Sequence, residues 1–452
     1  MRRFHGFLMC LLIAGAHGCG SPAVERRASG ALPTNVVLLV GDGFGVGAWT
    51  LAREWARASG VETVLDTPEA LGFLTPHYDG GLVTDSAAAS TAWSAGRLVP
   101  RFTIGADGKA PLFVDLANAG WSCGFVTTMR VTHATPAPFY AVTEHRDNED
   151  EIAAQLVGAR LPVAIGGGAR HFLPDGDGGS RGDDRNLVHE AELAGITVLR
   201  EFHAPLPPGA PVLGLLAPSH LPHEIDRGDG PDLPELAVAA IRRLQAEGRP
   251  WFLLVEEGSI DLAAHDFDAP SIAFDGVRLD RTVRAVLDAT DRATTLVIVT
   301  ADHATSNPVL LESARPESLG VVRASVRAME QQIFEGESWN GTPDGLEEKA
   351  LPIVDRGAGL THLSPEDLDR LVAATNAYDR AAALGLAVSR RFGITFLPYD
   401  DLLRSDQVHG HTADLVPIRA WGPRAQDVRG VADHARIGRW LREVTRLPAA
   451  PR

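Results

Sequence analysis

The chain has 452 residues, of which 45% are hydrophobic and 22% charged, so it can hold one large α/β domain or two smaller ones. Lys and Arg number 42 against 58 Asp and Glu, and the formal net charge is 42 − 58 = −16. A nucleic-acid partner demands basic surface, so this balance argues against nucleic acid. Past the N-terminal segment, no apolar run reaches the roughly 18 residues that a membrane-spanning helix needs.

Residues 1–18 have the pattern of a signal peptide, in which two arginines precede a short apolar stretch. Residues 16–19, Ala-His-Gly-Cys, resemble a bacterial lipoprotein box, which predicts a lipid anchor on Cys19. Cleavage without lipidation is the alternative. Residues 19–33 then form a tether ahead of a domain that spans 34–452. We therefore expect an exported protein of the periplasm or cell envelope.

The first strong strand pattern is an apolar run that begins at Asn35 and is bounded by glycines. A run of this kind is typical of a strand buried on both faces, as in a parallel sheet. Asp42 then lies at the carboxyl end of the strand, where open α/β sheets bind ligands. The alternative is a dinucleotide-binding loop over Gly43–Ala48, which requires an acidic residue at the end of the next strand. Glu62 is the nearest acidic residue, and the strand pattern around it is weak.

The next motif is Val83–Trp93, in which Ser86 precedes an Ala-rich segment that favours a helix. Ser86 would then lie at the helix N-terminus, where backbone N–H groups favour an anion. No Gly-x-Ser-x-Gly elbow surrounds it, so a Ser-His-Asp triad has no support. A serine nucleophile of this kind needs a metal or another base to activate it. The alternative is an ordinary polar cap before a helix.

Three further segments carry acidic or histidine side chains at or near strand ends. An apolar strand from Trp251 leads to Glu256, Asp261 and His265, and the last two would share one face of a helix. A second strand ends in Asp302 and His303, and His411 precedes a third. Each could be an isolated loop or helix pair, but together they predict one site at the carboxyl edge of a sheet. Carboxylate and imidazole together suit zinc.

These motifs, in this order, resemble the alkaline phosphatase family. The stretch D-S-A-A-A-S-T-A around Ser86 is similar to the nucleophile segment of that family. Two further matches are T-H-A-T-P-A, which contains His133 and Thr135, and Arg146 at the family's distance after it. The resemblance covers roughly residues 35–305 and 405–440.

The resemblance implies a site with two zinc ions and one magnesium ion. It gives the first zinc to Asp261, His265 and His411, the second zinc to Asp42, Asp302 and His303, and the magnesium to Asp42, Thr135 and Glu256. His133 stands where some members carry an Asp that orders water on the magnesium and others carry His. Ser86 would be the nucleophile.

Arg146 would clamp two phosphate oxygens, which its planar guanidinium suits. The alternative makes Arg146 a surface helix residue, loosely paired with Glu144 or Glu149.

The predicted fold is a single α/β domain, a three-layer sandwich whose largely parallel central sheet has helices on both faces. A helical insertion is expected over about residues 306–408, and residues 366–391 show a helical apolar spacing. Such an insertion would flank the site, where connecting segments often set substrate choice.

The resemblance implies hydrolysis of phosphate monoesters through a phosphoserine intermediate. The expected partners are small phosphate esters, and a homodimer stays open. Phosphodiester or sulfate-ester hydrolysis on the same scaffold is the first alternative, although Ser86, Thr135 and Glu256 favour monoesters and no C/S-x-P-x-R sulfatase motif surrounds Ser86. A non-catalytic surface binding protein is the second alternative.

Overall fold

The computed structural model describes residues 30–335, 343–396 and 410–447. The predicted signal peptide and the lipid-anchor position Cys19 lie outside these ranges, as does most of the predicted tether. None of the helices within the ranges combines the length and apolar character that crossing a membrane requires.

The chain forms a large mixed α/β fold, whose elements are numbered here in chain order. The strands are β1 Asn35–Gly41, β2 Ala70–Thr75, β3 Ser122–Arg130, β4 Val163–Gly167, β5 Thr197–Leu199, β6 Val212–Leu215, β7 Trp251–Glu257, β8 Thr295–Thr300, β9 Ala304–Thr305, β10 Val309–Leu310, β11 Ile394–Thr395, β12 His411–Thr412, β13 Val416–Trp421 and β14 Gly430–Asp433. The helices are α1 Val46–Ala58, α2 Ser86–Ala95, α3 Leu112–Asn118, α4 Glu149–Ala159, α5 Leu187–Leu193, α6 Leu233–Gln245, α7 Ser259–His265, α8 Ala269–Ala289, α9 Val326–Phe334, α10 Pro343–Ala358, α11 Pro365–Ala373, α12 Ala377–Arg391 and α13 His434–Val444.

Ten of the strands form one sheet in the order β14-β2-β13-β8-β1-β7-β3-β4-β6-β5. Every pair in it is parallel except those of β13, which runs antiparallel to both β2 and β8. The central strands β7 and β8 are buried along their whole length, which requires cover on both faces. The helices α1 and α6 both pack on α8, and α2 packs on α13. The predicted largely parallel α/β sandwich is confirmed.

The orientation of β13 has a direct consequence for the site. Because β13 is antiparallel to β8, its first residue lies at the edge where β8 and β1 end. The segment before β13, which contains His411, therefore reaches the carboxyl edge of the parallel strands. There β12 pairs with β9 in a separate two-stranded sheet.

Between β9 and β12 the described residues contain β10, β11 and the four helices α9 to α12. The segment 366–391 is helical in two pieces, because α11 ends at Ala373 and a new cap starts α12. The Asn376 side chain accepts a hydrogen bond from the Asp379 N–H, which fixes that start. The helices α9 and α12 pack together, and α12 also contacts α8.

Candidate metal centre

The strand ends deliver a set of acidic and histidine side chains to one edge of the sheet. Asp42 follows β1, and Asp302 and His303 follow β8, which is hydrogen-bonded to β1. Glu256 is the penultimate residue of β7, on the other side of β1. Asp261 lies in the first turn of α7, and His411 lies on β12. The sheet order therefore explains why residues far apart in sequence meet.

These side chains form three groups in which the candidate ligand atoms lie within 4.8 Å of one another. The groups are Asp42, Asp302 and His303; Asp261, His303 and His411; and Asp42, His133 and Glu256. Asp42 and His303 each belong to two groups, so the three groups form one continuous cluster. Asp42, Glu256, Asp302 and His303 are all fully buried.

His265 lies beside this cluster. Its Nε2 atom is 3.2 Å from Asp261 Oδ2, and its ring centroid is 5.2 Å from that of His411. The imidazole of His303 comes closer still to His411, with the two rings stacked at 3.6 Å. The structure thus places His265 on the half-exposed rim of the site, while His303 lies between the two predicted zinc positions.

Four buried side-chain atoms in the cluster have no hydrogen-bond partner among the described residues: Asp42 Oδ1, Asp302 Oδ2, Glu256 Oε1 and His133 Nδ1. Asp302 Oδ2 lies 3.1 Å from His303 Nε2, but the two atoms lack hydrogen-bond geometry. Buried polar atoms are rarely left unpaired, and carboxylate oxygens can only accept. An atom set of this composition fits a cation, and its oxygen and imidazole donors suit zinc and magnesium.

The protonation equilibria of the cluster reflect crowded acidic groups. Burial raises the pKa of Asp42 well above its usual range, and the carboxylates of Asp302 and Asp261 add to the effect. Burial likewise raises the pKa of Glu256 to about 7. Burial lowers the pKa of His411 well below its usual range, with the neighbouring His303 contributing. Bound cations would reverse the trend of the carboxylates, because they favour the ionised form, and would reinforce that of His411, because they favour a neutral imidazole.

Ser86 is the first residue of α2 and is buried. Its Oγ atom lies 3.3 Å from His303 Nε2 and 3.5 Å from Asp42 Oδ2. Asp85 caps the helix by accepting hydrogen bonds from the Ala87 and Ala88 N–H groups. The hydroxyl therefore stands at the positive end of the helix and against the carboxylate and imidazole cluster.

Arg146 is not the loosely paired surface residue of the alternative interpretation. It precedes α4, and its side chain donates a 3.0 Å hydrogen bond from Nη1 to Asp85 Oδ2. Its Nη2 atom lies 3.2 Å from His133 Nε2. Glu149, one of the two partners named in that interpretation, binds Arg130 instead. The cap of the Ser86 helix thus also holds the Arg146 guanidinium.

Thr135 lies at the inner side of the cluster, where its Oγ1 atom is 3.5 Å from Asp42 Oδ2. Sequence reasoning missed two supporting residues. Thr127 donates a 2.5 Å hydrogen bond to Glu256 Oε2, and Asp85 binds Arg146. Asp85 was visible as a helix cap, but nothing in the sequence indicated its second partner. Thr127 lies inside a strand and gave no signal.

The sequence is similar to proteins of one family. The family model described as alkaline phosphatase matches residues 33–349. Streptomycin-6-phosphate phosphatase of Streptomyces griseus is 34% identical over 408 residues, which cover 77% of this chain and 90% of that protein. Alkaline phosphatase 3 of Bacillus subtilis is 28% identical over 431 residues, covering 90% and 87% respectively. The crystal structure of Thermus thermophilus alkaline phosphatase superposes with a TM-score of 0.80 at 28% identity, over 92% of each chain.

Proposed function

Because this chain belongs to the alkaline phosphatase family and is a metal-dependent phosphatase that hydrolyses phosphate monoesters, we propose that the reaction proceeds through a phosphoserine at Ser86, at a site of two zinc ions and one magnesium ion. One observation carries the proposal. Asp42 and His303 each belong to two of the three candidate ligand groups, and Ser86 Oγ lies within 3.5 Å of a ligand atom on each of these two residues.

The metal assignment follows the donor atoms. Asp261, His265 and His411 would hold one zinc, and Asp42, Asp302 and His303 the other. Asp42, Thr135 and Glu256 would hold the magnesium, with His133 beside it. The unpaired oxygens of Asp42, Asp302 and Glu256 support this assignment, because a buried carboxylate with no partner is otherwise costly. When bound, the metals supply an ionised serine hydroxyl or water and neutralise charge on the ester oxygens.

The residues of the chain then position the two displacements. In the first, Ser86 Oγ forms a bond to phosphorus while the bond to the ester oxygen breaks. In the second, water attacks phosphorus from the opposite side and Ser86 Oγ leaves, so that inorganic phosphate is released. The N-terminus of α2 faces the transferred group and favours its negative charge in both steps.

Arg146 would hold two non-bridging oxygens of the phosphoryl group. Its guanidinium is fixed by Asp85, which also caps the helix that carries Ser86. Nucleophile and clamp are therefore held by one carboxylate, which preserves their spacing. Burial lowers the pKa of Arg146, but the Asp85 carboxylate, with Asp42 and Asp261 adding to it, outweighs burial and raises the pKa, so the guanidinium stays charged.

The relatives and the N-terminal sequence support a substrate class and a cellular location. The substrates are small phosphate esters, and one relative is named for streptomycin 6-phosphate. Export, and a lipid anchor at Cys19, are supported by the sequence of residues 1–19. Membrane extraction of wild type and Cys19→Ala, with fatty-acid labelling, tests the anchor: a labelled Cys19→Ala protein would contradict it.

The phosphoserine is tested with Ser86→Ala and the matched control Ser94→Ala in the same helix. Ser94 is equally buried, but its Oγ accepts a hydrogen bond from the Leu112 N–H, away from the cluster. We expect wild type and Ser94→Ala to trap labelled phosphate at low pH. Ser86→Ala should trap none and lose several orders of magnitude in turnover, while retaining its metals.

Two results would contradict the assignment. One is labelled phosphate that maps to a residue other than Ser86. The other is Ser86→Ala turnover close to that of Ser94→Ala. Assays with a monoester, a diester and a sulfate ester on the same preparation decide between the proposed activity and the alternatives on the same scaffold.

A further inference from the structure

Thr305, which no motif indicated, lies between the two proposed zinc sites. It follows His303 by two residues on β9 and is 1% exposed. Its Oγ1 atom is 2.6 Å from Asp261 Oδ1, in the first proposed zinc site, and 3.1 Å from His303 Nδ1, in the second. A single hydroxyl therefore contacts one proposed ligand of each zinc.

The direction of both hydrogen bonds follows from the chemistry of the partners. His303 Nε2 faces Ser86 and the carboxylates of Asp42 and Asp302. When Nε2 is a ligand, the neutral ring carries its proton on Nδ1, which must donate to Thr305 Oγ1. The hydroxyl proton is then directed to Asp261 Oδ1, which can only accept.

Few side chains can make both bonds from this position. The bridging group must accept from an N–H and donate to a carboxylate, which a hydroxyl does and a methyl group cannot. The backbone also makes room for it. Gly43 has φ +66°, and a Cβ there would lie 2.7 Å from Asp261 Oδ1 and 2.8 Å from Thr305 Oγ1. A side chain at Gly43 would therefore collide with both ends of the bond.

The backbone of Thr305 is tied to the remaining ligand segments. Thr305 is the register partner of His411 in the β9–β12 pair. Its N–H donates a 3.2 Å hydrogen bond to the Gly43 carbonyl, next to Asp42. The backbone of Thr305 is consequently held by the segments that carry His411 and Asp42, and this fixes the position of its hydroxyl.

Resting on the proposed metal assignment, we infer that Thr305 is a positioning residue that couples the two zinc sites. By accepting from His303, its hydroxyl fixes the orientation of that ring and strengthens Nε2 as a ligand. By donating to Asp261 Oδ1, it orients the carboxylate so that Oδ2 remains for the first zinc. Removal of the hydroxyl should weaken both zinc ions together, although Thr305 binds neither.

Three substitutions in the full chain test this inference. Thr305→Val keeps the shape and removes the hydroxyl, and Thr305→Ser keeps the hydroxyl. Thr445→Val is the matched control, because Thr445 is also 1% exposed and its hydroxyl bonds to the Leu441 carbonyl within α13. Zinc affinity is measured by chelator competition for each of the two ions. The thermal midpoint of each metal-free protein is measured beside it.

We expect Thr305→Val to lower the affinity for both zinc ions by about 10–100-fold, the usual effect of losing a hydrogen-bond partner of a metal ligand. Thr305→Ser should remain within a few-fold of wild type, and Thr445→Val should match wild type. If Thr305→Val does not fold, Thr305→Ala takes its place in the same comparison.

Four results would overturn the inference. A lower metal-free midpoint with unchanged zinc affinity would make Thr305 a packing residue. A lower affinity for one zinc ion alone would show that Thr305 does not couple the two sites. A wild-type protein that binds no zinc would refute the proposed metal assignment, and the inference with it, whereas wild-type zinc binding with an unaffected Thr305→Val protein would refute the inference alone.

Discussion

Glu256 and Glu257 are neighbours on β7, and both are fully buried, yet they belong to two different kinds of charged cluster. Adjacent residues of a strand point to opposite faces. Glu256 faces the proposed metal site, where its Oε1 atom has no hydrogen-bond partner among the described residues. Glu257 accepts hydrogen bonds from Arg278 and Thr128, at 2.5 and 3.1 Å.

The cluster around Glu257 balances its own charges. Arg278 on α8 lies within 3.2 Å of both Glu257 and Asp275, and Asp275 also binds His223. Among these four side chains, no buried nitrogen or oxygen is left without a hydrogen-bond partner. The cluster around Glu256 contains unpaired carboxylate oxygens on three residues. Buried charges that pair with one another indicate a structural network. Buried carboxylates that lack such partners indicate a site for a cation from outside the chain.

The largest expected effect comes from Asp42→Asn, which removes the carboxylate shared by two of the candidate ligand groups. Turnover should fall by at least about 10³-fold, because a catalytic metal contributes several kcal/mol at about 1.36 kcal/mol per factor of ten. The metal-free protein should become more stable at neutral pH, because burial raises the pKa of Asp42 and its ionised form is disfavoured there. Urea unfolding of metal-free proteins and steady-state kinetics measure both quantities. If Asp42→Asn destabilised the metal-free protein, the Glu256 cluster would not differ from the Glu257 cluster in this way.

Arg278→Met should have the opposite effect, with a large loss of stability and a small loss of turnover. It leaves Glu257 without its cation, while Asp275 keeps His223, and the loss of one partner from a buried pair costs about 3–5 kcal/mol of unfolding free energy. Turnover should fall far less than in Asp42→Asn. The double variant Arg278→Met with Glu257→Gln should recover part of the stability, because the unpaired charge is gone. A double variant less stable than Arg278→Met would show that Glu257 is held by other groups.

His223 gives the self-contained cluster a pH dependence. Burial alone would lower the pKa of His223, but the carboxylates around it, Asp275 foremost and then Asp268 and Asp226, together outweigh burial and raise the pKa from 6.5 to about 9. The folded state therefore binds this proton more tightly than the unfolded state. Its contribution to stability is complete below pH 6.5 and is lost as pH rises through 9.

The size of that contribution is on the order of 3 kcal/mol, since each unit of difference between the folded and unfolded pKa corresponds to about 1.36 kcal/mol. The test compares the unfolding free energies of metal-free wild type and His223→Gln at pH 6, 7.5 and 9.5. The advantage of wild type should shrink with rising pH. A difference that is constant over this range would mean that His223 does not titrate in it.

Much of the fold could be predicted because the signals are local. Apolar runs at Asn35, Trp251 and Thr295 predicted three central strands, and the structure places them side by side. The acidic and histidine residues after them could then be expected at one edge. The sequence did not indicate that β13 is antiparallel, which is what carries His411 to that edge.

The supporting contacts could not be predicted, because their partners are distant in sequence and show no shared pattern. Asp85 and Arg146 are 61 residues apart, and Thr127 and Glu256 are 129 apart. Thr305 stands beside a recognised motif, but its bond to Asp261 depends on the mutual position of α7 and β9. The ends of strands indicate candidate ligands in the sequence, whereas the residues that orient those ligands depend on how whole helices and strands pack together.

The smallest effect concerns Arg146, which joins the cluster to its substrate rather than to a metal. A charge-assisted hydrogen bond contributes about 1.5–3 kcal/mol, or roughly one to two powers of ten in a binding or rate constant. Arg146→Ala should therefore weaken inhibition by inorganic phosphate and lower monoester turnover while leaving substantial activity. It should reduce diester turnover less, because a diester offers one fewer charged oxygen to hold.

The matched control for Arg146→Ala is Arg130→Ala. Arg130 is also partly buried and pairs with a carboxylate, Glu149, but that carboxylate does not cap the Ser86 helix. Arg130→Ala should cost stability and leave phosphate inhibition near wild type. Since Asp85 caps that helix whether or not Arg146 is present, Arg146→Ala should also keep its zinc. Unchanged phosphate inhibition in Arg146→Ala would place the guanidinium outside the substrate site and reduce it to a partner of Asp85.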